Sequence, residues 1–321
     1  MTLRPFDELR AQGERNHPSI AGIPLVLGGN VFGWTADENA SFAVLDRFYE
    51  AGGRMVDTAQ GYSVWAPGHV GGESEAVIGR WMQARGNRAE MRIATKTGMF
   101  GKGGDLGAKV IAEELHKSLE RLQGDYVDLY YAHRDEAVTS QEEVAEGFDA
   151  LVRQGLVREL GASNFSAERL GRISDIARAK GLASFTVLQN EYNLVERGEY
   201  PAELQQLCLD RGIAMLPWFG LAAGFLTGKY RTREDLARHN RGSSIERFFD
   251  KGLTVLPALD AVAAETGASP GAVALAWLLA QPGIAAPIAS ATRPEQLDVQ
   301  FEALRLELTP DQLERLTAAG A

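Results

Sequence analysis

The chain has 321 residues, 45% hydrophobic and 24% charged, with a formal net charge of -10. That length allows one large domain or two ordinary ones, and the acidic balance argues against a nucleic-acid binder, which would carry a basic surface. A single cysteine, Cys208, excludes an intrachain disulfide and suits a reducing cytoplasm, while no apolar run nears the roughly 20 residues of a membrane span.

In chain order, Met1 to Asp7 lacks the apolar core of a signal peptide. Leu25-Val26-Leu27 reads as a strand ending at Gly28-Gly29, and Asn39 to Tyr49 has helical spacing at Phe42, Leu45 and Phe48. Arg54-Met55-Val56 leads to Asp57, with a helix near Ser74 to Gln83. Arg92 to Thr95 leads to Lys96, then a helix from Ala108 to Leu122; Val127 to Tyr131 leads to His133, then a helix from Gln141 to Arg153. Leu156 to Gly161 leads to Ser163 and Asn164, then a helix from Ala167 to Ala179. Phe185 to Leu188 leads to Gln189, Ile213 to Leu216 to Trp218, and Ile284 to Ile288 to Ser290. Cys208 falls in a helix as a small core residue, and Val273 to Ala280 reads as a buried helix.

Strands alternating with helices predict a parallel sheet. Eight such units in this length suit an α/β fold of the (β/α)8 barrel type, as a single domain over residues 1–321. The open doubly wound alternative lacks its usual fingerprint, because Gly28-Gly29-Asn30-Val31-Phe32-Gly33 does not space as G-x-G-x-x-G. Two stretches read as long irregular loops, Ser63 to Gly72 and Gly220 to Asp250. The second is rich in Gly and in Lys229, Arg231, Arg233, Arg238, Arg241 and Arg247.

A barrel gathers its chemistry at the C-terminal strand ends. There the sequence delivers Asp57, Lys96, His133, Ser163, Asn164, Gln189, Trp218 and Ser290, with Tyr62 five residues beyond Asp57. A phenol with a pKa near 10 is a poor acid at pH 7. A cation in hydrogen-bond reach lowers that value, and reaching neutrality takes on the order of 4 kcal/mol. Lys96 is the candidate cation, held charged by Asp57, and His133 can donate to a substrate oxygen beside Tyr62. Each residue alone has a plain alternative: Asp57 as a turn or cap, Tyr62 as packing, Lys96 as a structural cation, His133 as a satisfied core histidine. His17, His69, His116 and His239 read as surface or loop residues, and no metal-ligand spacing appears.

The segments DTAQGY, ATKTG, a His after the fourth strand, GASNF, QNEYNL and GFLTGKY, in this order from about Leu27 to Leu313, resemble the aldo-keto reductase superfamily. GGNVFGWT near the start and Ser290-Ala291-Thr292 near the end are most similar to its bacterial members. The resemblance implies a (β/α)8 barrel and NADPH-dependent reduction of an aldehyde or ketone, with Tyr62 as general acid and Asp57, Lys96 and His133 completing a tetrad. It implies that Ser163, Asn164 and Gln189 hold the nicotinamide carboxamide and that Trp218 stacks on its ring. Asn30, Phe219, Gly220, Leu221, Ala222, Ala223 and Lys229 fall among the implied cofactor contacts, the last six in the loop over the pyrophosphate. Ser290, Thr292, Arg293, Gln296 and Gln300 match the adenosine and 2′-phosphate site, with Arg293 opening a helix at Pro294.

Three departures stand out. Phe219-Gly220-Leu221-Ala222 replaces the more usual Ser-Pro-Leu-Ala, Gln300 stands where Asn is usual, and Arg134, Asp135 and Glu136 follow His133 at the mouth. Those three charged residues read either as favouring a polar substrate or as a solvated rim. Phe32, Trp34, Trp65 and Phe100 point to an aromatic-walled pocket, although aromatics of this size also fill cores. A second function stays open, a nucleotide-sensing regulatory subunit similar to potassium-channel β subunits. The expected partners are a small carbonyl compound and NADPH, with no nucleic acid and no membrane.

Overall fold

Eight parallel strands follow one another around one sheet: β1 (Val26–Gly28), β2 (Met55–Asp57), β3 (Arg92–Thr97), β4 (Val127–Ala132), β5 (Val157–Ser163), β6 (Phe185–Gln189), β7 (Ala214–Met215) and β8 (Ile288–Ala289). Their spatial order is β7-β6-β5-β4-β3-β2-β1-β8. Met215 bridges to Ile284, Ala285 N donates to Met215 O at 2.9 Å and Ile288 N to Pro217 O at 2.9 Å, which closes the sheet into the expected (β/α)8 barrel. This computed structural model describes residues 20, 22–99, 105–237 and 242–320. The sequence readings at Met1 to Asp7, His17, Phe100, Arg238, His239 and Arg241 lie outside the described residues.

Five of the helices that wrap the barrel lie where the sequence placed them, α1 (Glu38–Glu50), α2 (Glu73–Arg85), α3 (Ala108–Leu122), α4 (Gln141–Arg153) and α5 (Ala167–Lys180), and Cys208 lies in a sixth, α6 (Ala202–Arg211). Their ends follow local chemistry. Asp37, Ser140 and Ser166 accept a backbone N–H at the starts of α1, α4 and α5, and left-handed Gly86, Gly181 and Gly212 end α2, α5 and α6. The last two strands are shorter than the apolar runs that predicted them, because Pro217 and Pro287 have no N–H to offer a ladder.

The Gly220 to Asp250 stretch is more regular than its sequence reads. It holds a 3-10 segment over Ala222–Thr227, a short helix α7 (Arg233–Ala237), and the start of α8 (Gly242–Thr266). Ile245, Phe248 and Phe249 bury themselves at helical spacing, a signal hidden behind the Gly- and Arg-rich residues before them. The barrel is completed by α9 (Pro270–Leu279), α10 (Gln296–Ala303) and α11 (Pro310–Ala319). No single described helix is long and apolar enough to cross a membrane.

Strand periodicity divides the core in two. Val26, Met55, Ala94, Leu129, Tyr131, Val187, Ala214 and Ile288 fill the barrel interior. Leu27, Val56, Ile93, Tyr130, Leu188 and Met215, one residue along each strand, face the helices instead. Helix α2 lies against α3 through Gly79, where an added Cβ would come within 2.3 Å of Arg121 O. Alanine outranks glycine in a helix interior by about 1 kcal/mol, so Gly79→Ala tests which effect wins. We expect the backbone collision to dominate and thermal unfolding to show a net loss of about 1–3 kcal/mol; a stabilised variant would show the helices free to separate.

Candidate active site

The inward register of each strand, continued to the rim, names the site. Met55 leads to Asp57, Ala94 to Lys96, Leu129 and Tyr131 to His133, and Val187 to Gln189, two residues at a time. The same count reaches Ser163 from Gly161, Trp218 from Leu216 and Ser290 from Ile288. Ladder register adds depth, since Asp57 pairs with Ala94, Lys96 with Tyr131, and Ser163 with Gln189.

At the centre, Lys96 Nζ donates to Asp57 Oδ2 at 2.6 Å, to Thr58 O at 2.7 Å and to Tyr62 Oη at 2.7 Å. All three ammonium protons are thereby used. Tyr62 Oη donates to Asp57 Oδ2 at 3.1 Å, and Gln189 Nε2 reaches across the mouth to Asp57 Oδ1 at 2.9 Å. The His133 ring meets Tyr62 edge-on, with centroids 6.0 Å apart, and its Nδ1 has no hydrogen-bond partner among the described residues. The tetrad expected from the sequence is therefore one contiguous cluster.

The electrostatics correct one expectation. Burial first, and then the Asp57 carboxylate, hold the Tyr62 phenol well above its ordinary value, so the Lys96 contact does not bring it to neutrality here. The residue keeps some solvent contact, but its hydroxyl lies among buried groups. Tyr62 thus keeps its proton, the form a proton donor needs. Burial lowers Lys96, and Asp57 opposes that shift. Burial, aided by the charges of Lys96 and Arg134, holds His133 well below the usual histidine range, so the imidazole is neutral.

The positions implied for the cofactor cluster along the same rim. Ser163 Oγ donates to Gln189 O at 2.7 Å, and left-handed Asn164 donates through Nδ2 to His133 O at 2.9 Å and to Ser163 Oγ at 3.1 Å. Trp218 is partly exposed and packs edge-on to Phe219 with centroids 4.8 Å apart. Beyond it the backbone turns through positive φ at Phe219, Ala222, Ala223 and Gly224, while Gly220 is packed under Leu278 and Leu275. Ser290 Oγ bonds Asn30 Oδ1, Gln300 Nε2 donates to Ser290 O at 3.2 Å, and buried Gln300 Oε1 has no partner among the described residues. Thr292 is tied to Gln296 Oε1 through its N–H at 2.7 Å. Arg293 is exposed at a turn, and the helix starts at Gln296 rather than at Pro294.

A dinucleotide fits this rim. An orphaned buried acceptor on Gln300 and the exposed Arg293 guanidinium just before a helix start are both present. The basic loop contributes less than its composition implies. Arg231 is held by Asp260, Arg233 by Asp250 and Arg247 by Glu191, while Lys229 stands exposed over the Tyr230 ring.

The mouth aromatics also sort themselves. Phe32 is a core residue, whereas Trp34 and Trp65 form an edge-on pair at 5.5 Å, and Trp65 lies 6.2 Å from Tyr62. His69 pairs loosely with Glu73 at 3.7 Å.

Sequence reasoning missed the supports around the tetrad. Ser74 Oγ donates to Gly29 O at 2.7 Å and shares a 2.7 Å hydrogen bond with Thr58 Oγ1. Buried Glu75 bonds Thr95 and Arg121. Tyr131 lies under Lys96, 5.7 Å from the ammonium, and Gly161 leaves room for its ring. Ser74 and Glu75 carried a readable signal, two polar residues in the first turn of a helix directly after the loop that carries Tyr62.

The model of the Aldo/keto reductase family matches residues 24–321. The chain belongs to the aldo/keto reductase family. An aryl-alcohol dehydrogenase [NADP(+)] of Phanerodontia chrysosporium is 32% identical over 88% of this chain and 76% of its own length. A norsolorinic acid reductase of Emericella nidulans is 32% identical over 92% of this chain and 78% of its own. A probable aryl-alcohol dehydrogenase of Saccharomyces cerevisiae is 31% identical over 87% of each. Membership makes this chain an oxidoreductase that uses NADP(H).

Two measurements probe the cluster. Asp57→Ala leaves a buried ammonium unpaired and should cost about 3–5 kcal/mol in chemical denaturation; a loss below 1 kcal/mol would mean the ion pair is not buried as described. His133 has its folded-state pKa depressed, so the unfolded chain takes up the proton first, near pH 6.5. Its neutral burial therefore costs no stability above that pH and costs up to about 1.4 kcal/mol per unit as pH falls below it. The His133 imidazole NMR shifts should stay constant from pH 8 to 6, and a midpoint near 6.5 would contradict the neutral assignment.

Proposed function

We propose that this protein reduces an aldehyde or ketone to an alcohol, with Tyr62 as the proton donor and an aromatic carbonyl compound as substrate. The cofactor is NADP(H), and when bound NADPH supplies the hydride. The observation that carries the reading is the Tyr62 hydroxyl, held protonated within 2.7 Å of the Lys96 ammonium and 3.1 Å of Asp57.

Ser163, Asn164 and Gln189 would hold the nicotinamide end, Trp218 would offer its ring face, and Ser290, Thr292, Arg293, Gln296, Gln300 and Asn30 the far end, with Gly220, Leu221, Ala222, Ala223 and Lys229 between. As the carbonyl carbon is reduced, negative charge grows on its oxygen. Tyr62 transfers its hydroxyl proton to that oxygen, and the new phenolate keeps its bond from Lys96. The charge left on Tyr62 forms beside a cation already paired with Asp57, and the rearrangement required is rotation of the hydroxyl proton from Asp57 Oδ2 to the substrate oxygen. Neutral His133 retains one ring N–H to donate to the same oxygen.

An aromatic substrate is supported by the Trp34–Trp65 pair beside Tyr62, which offers an edge and a face to a ring. It is supported too by relatives whose names specify aryl alcohols. A cytoplasmic setting belongs to the proposal and rests on the single buried Cys208. The test is NADPH oxidation with a panel of benzaldehydes. Tyr62→Phe should lower kcat by about 10²–10⁴-fold, with NADPH affinity by fluorescence retained; an unchanged rate would remove Tyr62 from this role. Tight NADPH binding by the wild type without turnover of any carbonyl would favour the nucleotide-sensing reading.

A further inference from the structure

Charge at the mouth is unevenly settled. On the floor, Asp57 and Lys96 neutralise one another at 2.6 Å, Tyr62 is protonated and His133 is neutral. On the β4–α4 loop, Asp135 is held bidentately by Arg169 at 2.6 and 2.9 Å. Glu136 spends its carboxylate on the N–H groups of Val138 and Thr139. Those two acids are a tied rim rather than a substrate contact. Glu73, below the Trp65 loop, accepts from Val70 N at 2.8 Å and faces His69.

Arg134 is what remains. It is exposed, and it makes no ion pair or hydrogen bond among the described residues. The backbone is held on both sides of it, by Asn164 Nδ2 on His133 O at 2.9 Å and by Arg169 on Glu136 O at 2.9 Å. Arg134 is therefore a cation of fixed root, one residue from His133, and its charge is felt by that imidazole. On a protein of net charge -10 an anionic compound gains nothing from the overall field. A local guanidinium beside a neutral floor is then the feature that would admit one, through a charge-assisted contact with a carboxylate.

We propose that Arg134 is a specificity-determining residue that selects carbonyl substrates bearing an anionic group, a carboxylate on the aromatic ring being the chemistry it fits. This rests on the carbonyl-reductase reading and adds to it the charge of the substrate. The aryl ring would lie by Trp34 and Trp65 with its carbonyl at Tyr62 and His133, and the carboxylate would reach outward to the guanidinium.

The experiment compares 2-, 3- and 4-carboxybenzaldehyde with the matching methylbenzaldehydes, in wild type, Arg134→Met and Arg134→Lys. In the wild type at least one carboxylated isomer should exceed its methyl partner about tenfold in kcat/KM, equivalent to about 1.4 kcal/mol. Arg134→Met should bring that ratio near one, mainly through KM, and Arg134→Lys should keep most of it. Added salt should shrink the wild-type ratio and leave that of Arg134→Met in place. Turnover of the methyl compounds with no carboxylate advantage, or a ratio unchanged in Arg134→Met, overturns the role of Arg134 alone. Absence of turnover with all six aldehydes overturns the reductase reading and this one with it.

Discussion

The ion pair between Lys96 and Asp57 is the constraint around which this molecule is arranged. Its side chains are 0% and 2% exposed, and their atoms meet at 2.6 Å. A lone buried charge costs several kcal/mol, and even a pair is tolerated only when its remaining donors and acceptors are satisfied. Here Thr58 O and Tyr62 Oη take the other ammonium protons, and Gln189 reaches over the mouth to the second carboxylate oxygen. Tyr62 is thus part of the solution to a burial problem. Its hydroxyl stands where it does because Lys96 needs an acceptor and Asp57 can take another donor.

Rigidity comes from the layer beneath. The fully buried Glu75 is fixed by Arg121 and Thr95, the residue before Lys96, while Ser74 and Thr58 lock the start of α2 to the ends of β1 and β2. These groups touch no reacting atom. They remove freedom from strands whose next inward residue belongs to the Lys96–Asp57–Tyr62 cluster, which is how preorganisation is built into a barrel rim. Function and packing share positions for the same reason: Tyr131 supports Lys96 from below, and its ring fits only because residue 161 has no side chain.

Chemistry and choice of substrate are carried by different parts of the rim. The strand ends supply a neutral, proton-bearing floor whose parts are mutually bonded. Loops supply the walls, with Trp34 and Trp65 on one side and the β4–α4 loop on the other. On the proposed function the floor carries the proton chemistry and the walls the choice of carbonyl, as strand ends and loops divide the work in barrels generally.

The sequence by itself determined the eightfold alternation and the candidates Asp57, Tyr62, Lys96 and His133. These follow from local rules: period two along strands, apolar spacing in helices, and polar residues placed straight after apolar runs. Sequence did not decide the protonation of Tyr62. Neighbouring Lys96 alone would lower its pKa, and only three-dimensional burial and the second contact, to Asp57, reverse the sign. Nor did it decide the charges. Arg231, Arg233 and Arg247 read as a run of basic loop residues and are instead paired with acids 29, 17 and 56 residues away. Asp135 and Glu136 read as equal partners of Arg134 and are tied down, leaving the arginine alone among the described residues. Such facts depend on which side chains distant segments bring together, so only the tertiary structure could decide them.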